Sequence, residues 1–125
     1  MKQYYIYLIV LGFACSKDLG LYKNSYTGSY NGTKRDKSWI MYQNAKDTLY
    51  EYRFELIPKL NDSVIIKGPG IYQVFMPDSD GYYYDAGWPG NFIEIILRND
   101  SCFYLRRNGG LGGYEECEII GRKVN

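Results

Sequence analysis

Thr48-Leu49-Tyr50-Glu51-Tyr52-Arg53-Phe54-Glu55-Leu56-Ile57 sets Tyr50, Tyr52, Phe54 and Leu56 at alternate positions, with Glu51, Arg53 and Glu55 between them. Successive side chains of a strand point to opposite faces, so this period of two turns the rings toward a core and the charges toward water. A strand that is dry on one face and wet on the other belongs to an antiparallel sheet. The alternation recurs on both sides of this stretch. Upstream, Tyr26, Gly28, Tyr30 and Gly32 alternate with Thr27, Ser29 and Asn31, and Trp39 and Met41 alternate with Ile40 and Tyr42. Downstream, residues 63–67, 71–76, 92–98, 101–106 and 115–122 read as further strands. Asn61-Asp62, Gly68-Pro69-Gly70, Asn99-Asp100 and the glycine-rich run from Asn108 to Gly113 supply the turns. Residues 77–91, rich in Asp, Gly, Tyr and Pro, read as a long loop. No segment carries a helical stripe with caps.

These segments predict an all-β domain over residues 26–125. About eight short strands joined by consecutive tight turns argue for an antiparallel meander that closes into a small barrel, with a β-sandwich as the alternative. A single flat sheet would leave exposed edges. The chain has 125 residues, enough for one domain, and 46% are hydrophobic, enough for one modest core. Its 15 tyrosines suit half-buried pleated surfaces better than helices.

Charge and composition exclude several functions. Of the 15 basic residues, Lys2 stands apart near the N-terminus; the remaining 14 balance 14 acidic residues. A neutral domain has no electrostatic footprint for nucleic acid. There is no histidine, which removes the commonest general base, proton shuttle and metal ligand. Ser–His and Cys–His nucleophile pairs are thereby excluded within this chain. No catalytic residue and no cofactor is expected, and the reading is non-enzymatic.

The N-terminus carries an address. Met1-Lys2 precedes an apolar run from Tyr4 to Ala14, too short to span a bilayer as a helix. It matches the apolar region of a secretory signal peptide over residues 1–14, with Gly12-Phe13-Ala14 as a small-x-small cleavage pattern. Cys15 follows at once. Leu11-Gly12-Phe13-Ala14-Cys15 resembles a relaxed form of the lipobox of bacterial lipoproteins, with Leu11 four residues before the cysteine and the bulky Phe13 inside the box. Together with Ser16-Lys17-Asp18 it is similar to small lipoproteins of the Bacteroidota. The resemblance covers about fifteen residues and implies a diacylated Cys15, a polar tether over residues 15–25 and a place in the bacterial cell envelope, on an outer membrane. Cysteine parity agrees: with Cys15 lipidated, Cys102 and Cys117 remain as an even pair.

The stretch Tyr26-Thr27-Gly28-Ser29-Tyr30-Asn31-Gly32 resembles the Gly-x-aromatic opening strand of lipocalin-like barrels, with Tyr30 where that family usually has Trp. The likeness implies a barrel and, as one option, a carrier of a small ligand.

Five groups of residues are candidates for function. Cys102 and Cys117 fall on the last two predicted strands; in the register that pairs them directly, they share a face with Tyr104 and Ile119, and an exported location permits a disulfide. The alternative is two buried thiols. Asp78, Asp80 and Asp85 surround a glycine in a loop that resembles a weak calcium site, although turn chemistry alone explains Asp and Gly there. Tyr82, Tyr83, Tyr84 and Trp88 crowd the same predicted loop and offer rings to a protein or glycan partner, or else fold down as a lid. Glu51, Arg53, Glu55 and Glu94 include carboxylates of the kind glycosidases pair, but their alternation with apolar residues points them to water. Asn31, Asn61 and Asn99 head Asn-x-Ser/Thr triplets that matter only in a eukaryotic secretory pathway.

The sequence therefore predicts an exported, membrane-anchored β-domain that binds a partner or serves a structural role. An inhibitor of a hydrolase and a lipocalin-like carrier are the alternatives.

Overall fold

The computed structural model describes residues 25–124, so the predicted signal peptide, Cys15 and nearly all of the tether lie outside the described residues. Eight strands follow one another: β1 (Gly28–Ile40), β2 (Lys46–Pro58), β3 (Val64–Gly68), β4 (Ile71–Phe75), β5 (Tyr82–Ala86), β6 (Phe92–Leu97), β7 (Ser101–Gly110) and β8 (Gly113–Lys123). Every neighbouring pair is antiparallel, and the order across the sheet is β4-β3-β2-β1-β8-β7-β6-β5. The first and last strands pair along eleven residues, from Tyr30 opposite Lys123 to Ile40 opposite Gly113. The sheet thus curls into a nearly closed barrel whose seam lies between β4 and β5. No ladder crosses that seam; the Phe75 and Tyr83 rings meet across it at 5.7 Å.

The predicted fold class holds, but two segments differ from the sequence reading. The two strands expected around Tyr30 and Trp39 are one strand of 13 residues, because the polar run between them is laddered on both sides. Residues 77–91 are not one long loop: Tyr82–Ala86 forms β5 against β6. Eight strands were expected and eight exist, one fused and one added.

The parity of the central stretch sets the core. Tyr52, Phe54 and Leu56 of β2 are buried, as are Tyr30 of β1, Ile66 of β3, Ile95 and Leu97 of β6, Tyr104 of β7 and Ile119 of β8. Tyr30 stacks on Phe54 at 5.2 Å, and Phe54 lies 6.0 Å from Tyr52. These rings fill the middle of the barrel. Fully burying one such apolar side chain contributes about 1.5–3 kcal/mol. Tyr26 plugs the end nearest the N-terminus: it is buried, its carbonyl accepts the Tyr30 hydroxyl at 2.6 Å, and it packs beside Gly81. Asn61 and Asp62 both take positive φ, 64° and 62°, in the loop from β2 to β3, where short polar side chains tolerate that conformation.

Candidate functional site

Antiparallel succession sorts the connections between the two ends of the barrel. The β2–β3, β4–β5 and β6–β7 connections share an end with Ser25 and Tyr26. There the Lys123 amide donates to the Asp100 carbonyl at 2.7 Å and Lys123 Nζ donates to the Ser25 carbonyl at 3.1 Å. The β1–β2, β5–β6 and β7–β8 connections meet at the opposite, far end. The Met41 amide donates to the Gly112 carbonyl at 2.9 Å, and the Gly109 amide donates to Asn91 Oδ1 at 2.8 Å, so three loops are tied together.

The rim of this far end is aromatic on its outer face. A groove of about 400 Å³ is lined by Trp39, Pro89, Phe92, Arg107, Leu111 and Tyr114, over a floor that includes Gly109 and Gly110. The Arg107 guanidinium lies 4.6 Å from the Tyr114 ring centroid, a cation–π contact that holds both side chains in place. Tyr84 of β5 stacks on Phe92 at 6.1 Å and extends the band. Trp88 is 82% exposed and Tyr42 is 99% exposed. The close approach of two loops requires Gly90, whose φ is 90° and where a Cβ would stand 3.1 Å from the Gly109 carbonyl oxygen.

Inside the rim the mouth of the barrel is polar. Lys34, Asp36 and Ser38 continue the inner face that begins at Tyr30, and Arg106 and Asn108 continue the one that begins at Cys102. The Lys34 side chain is only 12% exposed. Its ammonium lies 5.5 Å and 5.4 Å from the Tyr50 and Tyr52 ring centroids and 3.6 Å from Asp36 Oδ2. Burial by itself lowers the Lys34 pKa, but the Tyr50 hydroxyl and the nearby Cys117 and Asp36 outweigh it, so the ammonium is held above its ordinary value. The Tyr50 hydroxyl donates to Asp36 Oδ2 at 2.7 Å. The Tyr52 hydroxyl donates to the Pro69 carbonyl at 2.7 Å, which pins the β3–β4 turn beside Lys34. A cleft of about 280 Å³ opens here, lined in part by Asp36, Lys46, Thr48, Arg106, Asn108 and Cys117.

The predicted site residues separate. Cys102 and Cys117 are both buried, both on the inner face and both free. The tight turn falls at Leu111-Gly112, so Cys102 opposes Gly121 and Cys117 opposes Arg106. This register differs by four residues from the one that would pair the cysteines. Four residues of strand span about 14 Å, far beyond disulfide reach. Of the two readings the sequence left open, a disulfide and two buried thiols, the second is the one found. Burial pushes the Cys117 thiol up to about 11, which leaves it protonated at neutral pH and a poor nucleophile.

The tyrosine cluster divides by parity. Tyr83 faces inward and packs on the core beside Phe75, while Tyr82 and Tyr84 face outward; the Tyr82 hydroxyl donates to Glu94 at 3.0 Å. Of the four predicted loop aromatics, Trp88 alone sits on a loop, because the other three belong to β5. Asp78 spends its carboxylate on turn geometry, Oδ1 accepting the amides of Asp80 and Tyr82 at 2.9 Å each. Asp85 stands on β5. Among the described residues, no group of three or more His, Cys, Asp or Glu side chains is placed to hold a metal ion. Glu51, Arg53 and Glu55 point to water as expected.

The sequence reading missed Lys34, Asp36 and Arg106. Their signal was parity carried past the last apolar residue: Tyr30 to Lys34 and Asp36, and Tyr104 to Arg106.

Fold and rim together define a barrel-shaped all-β domain with a filled middle, a plugged end and an open, side-chain-rich end. No protein-family model, curated protein or solved structure matches this chain.

Proposed function

We propose that this is a non-enzymatic binding domain of the bacterial envelope, tethered through a lipid on Cys15, that docks a protein partner on its aromatic far end. One observation carries the reading: the exposed aromatics of the tied loops gather at the end opposite Ser25, the first described residue and the one next to the proposed tether. Trp39, Tyr114 and Arg107 are residue types that anchor protein interfaces, and here they line one groove, with Arg107 and Tyr114 held against each other. The ring-filled middle of the barrel favours a surface function over a carrier's hollow. Missing histidine and protonated buried thiols speak against an enzyme.

Site-specific photocrosslinking in the native envelope tests the docking. Probes at Trp88 and Leu111 are expected to give one discrete adduct that is lost in Trp39→Ser, while a probe at Leu60, on the tether end, gives none. Equal adducts from both ends would overturn the reading. The anchor is tested separately: Cys15→Ser is expected to move the protein from the membrane to the soluble fraction, and a variant that stays with the membrane refutes the lipid.

A further inference from the structure

The barrel fails to close only at the seam, and hydrogen-bond parity shows which backbone groups that leaves unpaired. Bonded residues alternate along an antiparallel ladder, so one bond at each end fixes the whole strand. The Leu97 amide donates to the Gly81 carbonyl at 2.8 Å, and the Gly87 amide donates to the Asn91 carbonyl at 3.1 Å. Tyr83 and Asp85 therefore exchange hydrogen bonds with β6, and the N–H and C=O groups of Tyr82, Tyr84 and Ala86 point into the seam. Tyr82 spends both of its groups on Asp78: its carbonyl accepts the Asp78 amide and its amide donates to Asp78 Oδ1, at 2.9 Å each. The backbone groups of Tyr84 and Ala86 have no such partner among the described residues. Across the seam β4 is partly guarded, because Gln73 Nε2 donates to the Val74 carbonyl at 3.0 Å. Paired strands lie about 4.8 Å apart. The Cα atoms of β4 and β5 are more than 8 Å apart over most of the seam, while the inward-facing Phe75 and Tyr83 rings meet beneath it.

We propose that the outer edge of β5 takes an extended peptide segment as an added antiparallel strand; that the docked protein supplies this segment rests on the reading above. Alternating N–H and C=O groups along an edge are complementary to another extended backbone. β5 carries neither Lys nor Pro, the residues that commonly guard a natural edge. Asp85 is exposed on the inner face of the strand, and no basic group lies within ion-pair distance of it among the described residues. It selects a segment with a basic side chain on that face. On the outer face Tyr84 stacks on Phe92, which lines the aromatic groove, so the edge continues the docking surface. The segment's outward side chains lie against Tyr84 and are apolar.

The experiment is NMR-detected amide exchange of the full chain with the synthetic peptide acetyl-Val-Thr-Val-Lys-Val-Thr-Val-amide. The Tyr84 and Ala86 amides are expected to exchange fast without peptide and to slow about tenfold or more at saturation. Tyr83 and Asp85, already laddered to β6, should change little. A control peptide with proline in place of its two inner valines should slow nothing. Ala86→Pro removes a donor that the β5–β6 ladder does not use, so the circular dichroism spectrum should stay the same while the slowing at Tyr84 is lost. Should Ala86→Pro unfold, Asp85→Lys is expected to weaken the peptide about threefold. No slowing at Tyr84 and Ala86, equal slowing by the proline control, or undiminished affinity in Asp85→Lys would each overturn the proposal. So would slow exchange that depends on protein concentration without peptide, because the β5 edges of two copies would then be pairing. A Trp88 photocrosslink that survives Ala86→Pro overturns the strand pairing and keeps the docking. Peptide protection without any Trp88 adduct keeps the edge site and overturns the docking.

Discussion

The Phe54 ring lies directly across Gly121: a Cβ built on Gly121 would stand 2.5 Å from Phe54 Cε1 and 2.6 Å from Cζ. Gly121 opposes Gly32 on β1 and Cys102 on β7, so this glycine lets the Phe54 ring reach the middle of the barrel. Gly121→Ala must displace the ring that stacks on both Tyr30 and Tyr52. Overpacking of this kind costs about 1–3 kcal/mol. For a domain of this size each kcal/mol lowers Tm by about 4–8 °C. Thermal unfolding followed by circular dichroism checks the expectation, and an unchanged midpoint would refute the packing.

The seam between β4 and β5 depends on side chains. Phe75 is buried and Tyr83 packs on it, with no ladder between their strands. Phe75→Ala is expected to cost about 3–5 kcal/mol. Tyr83→Ala, at a partly buried position, is expected to cost less but to open the seam locally. Amide exchange in Ile71–Phe75 and Tyr82–Ala86 should accelerate in Tyr83→Ala while β1 and β8 stay protected. Uniform acceleration across the sheet would show that the seam is not a separate unit.

Alkaline solution should unfold the domain before it damages it. Burial pushes the Cys102 thiol up to about 12 and the Cys117 thiol up to about 11, from an ordinary value of 9.0. Burial also pushes the Tyr30 phenol up to about 12, from 10.0. These groups keep their protons in the folded state after the unfolded chain has lost them. Between pH 9 and 12 the unfolded state therefore binds fewer protons, and stability falls as pH rises. Urea midpoints should be flat from pH 7 to 8 and decline steadily above pH 9. A midpoint that rises in that window would contradict the buried placement of these groups.

The two described cysteines should stay reduced and silent. Cys102 is 1% exposed and Cys117 is 5% exposed, and the register holds them apart. In the folded protein neither should react with a thiol reagent, and both should react in denaturant. Peptide mapping after mild oxidation should return both as free thiols; a Cys102–Cys117 crosslinked peptide would mean that the β7–β8 register is wrong.

The Tyr30 hydroxyl is the buried polar tie between β1 and the residue that plugs the barrel. It donates to the Tyr26 carbonyl at 2.6 Å. Tyr30→Phe keeps the ring stacking and leaves that carbonyl without this donor, which should cost about 1–3 kcal/mol. Chemical denaturation of the two proteins in parallel measures it; equal midpoints would show that the bond contributes nothing.

Local patterning was enough to read the all-β class, the face of each apolar strand and most of the turns. Tyr52, Phe54 and Leu56 face inward because a strand has a period of two, and that period is written in neighbouring residues. The pattern failed where hydrophobicity stopped although the strand did not. Thr33 to Lys37 carries no apolar alternation, yet it is laddered on both flanks, and its inner residues face the open mouth instead of the packed middle. β5 was hidden for the related reason that its pairing partner, β6, supplies the ladder, whereas local composition reads as turn.

The sequence by itself therefore determined a histidine-free chain of net charge +1 with antiparallel strands and their inward faces. Only the tertiary structure decided the register of β7 on β8, the seam at β4 and β5, and the meeting of Lys34, Asp36 and Arg106 at one mouth. Register depends on which residues form the turn, and a shift of two residues there moves every pair by four while preserving parity. Parity is a local property of the chain. Opposition across a sheet is a property of two distant segments, and it exists only once they have paired.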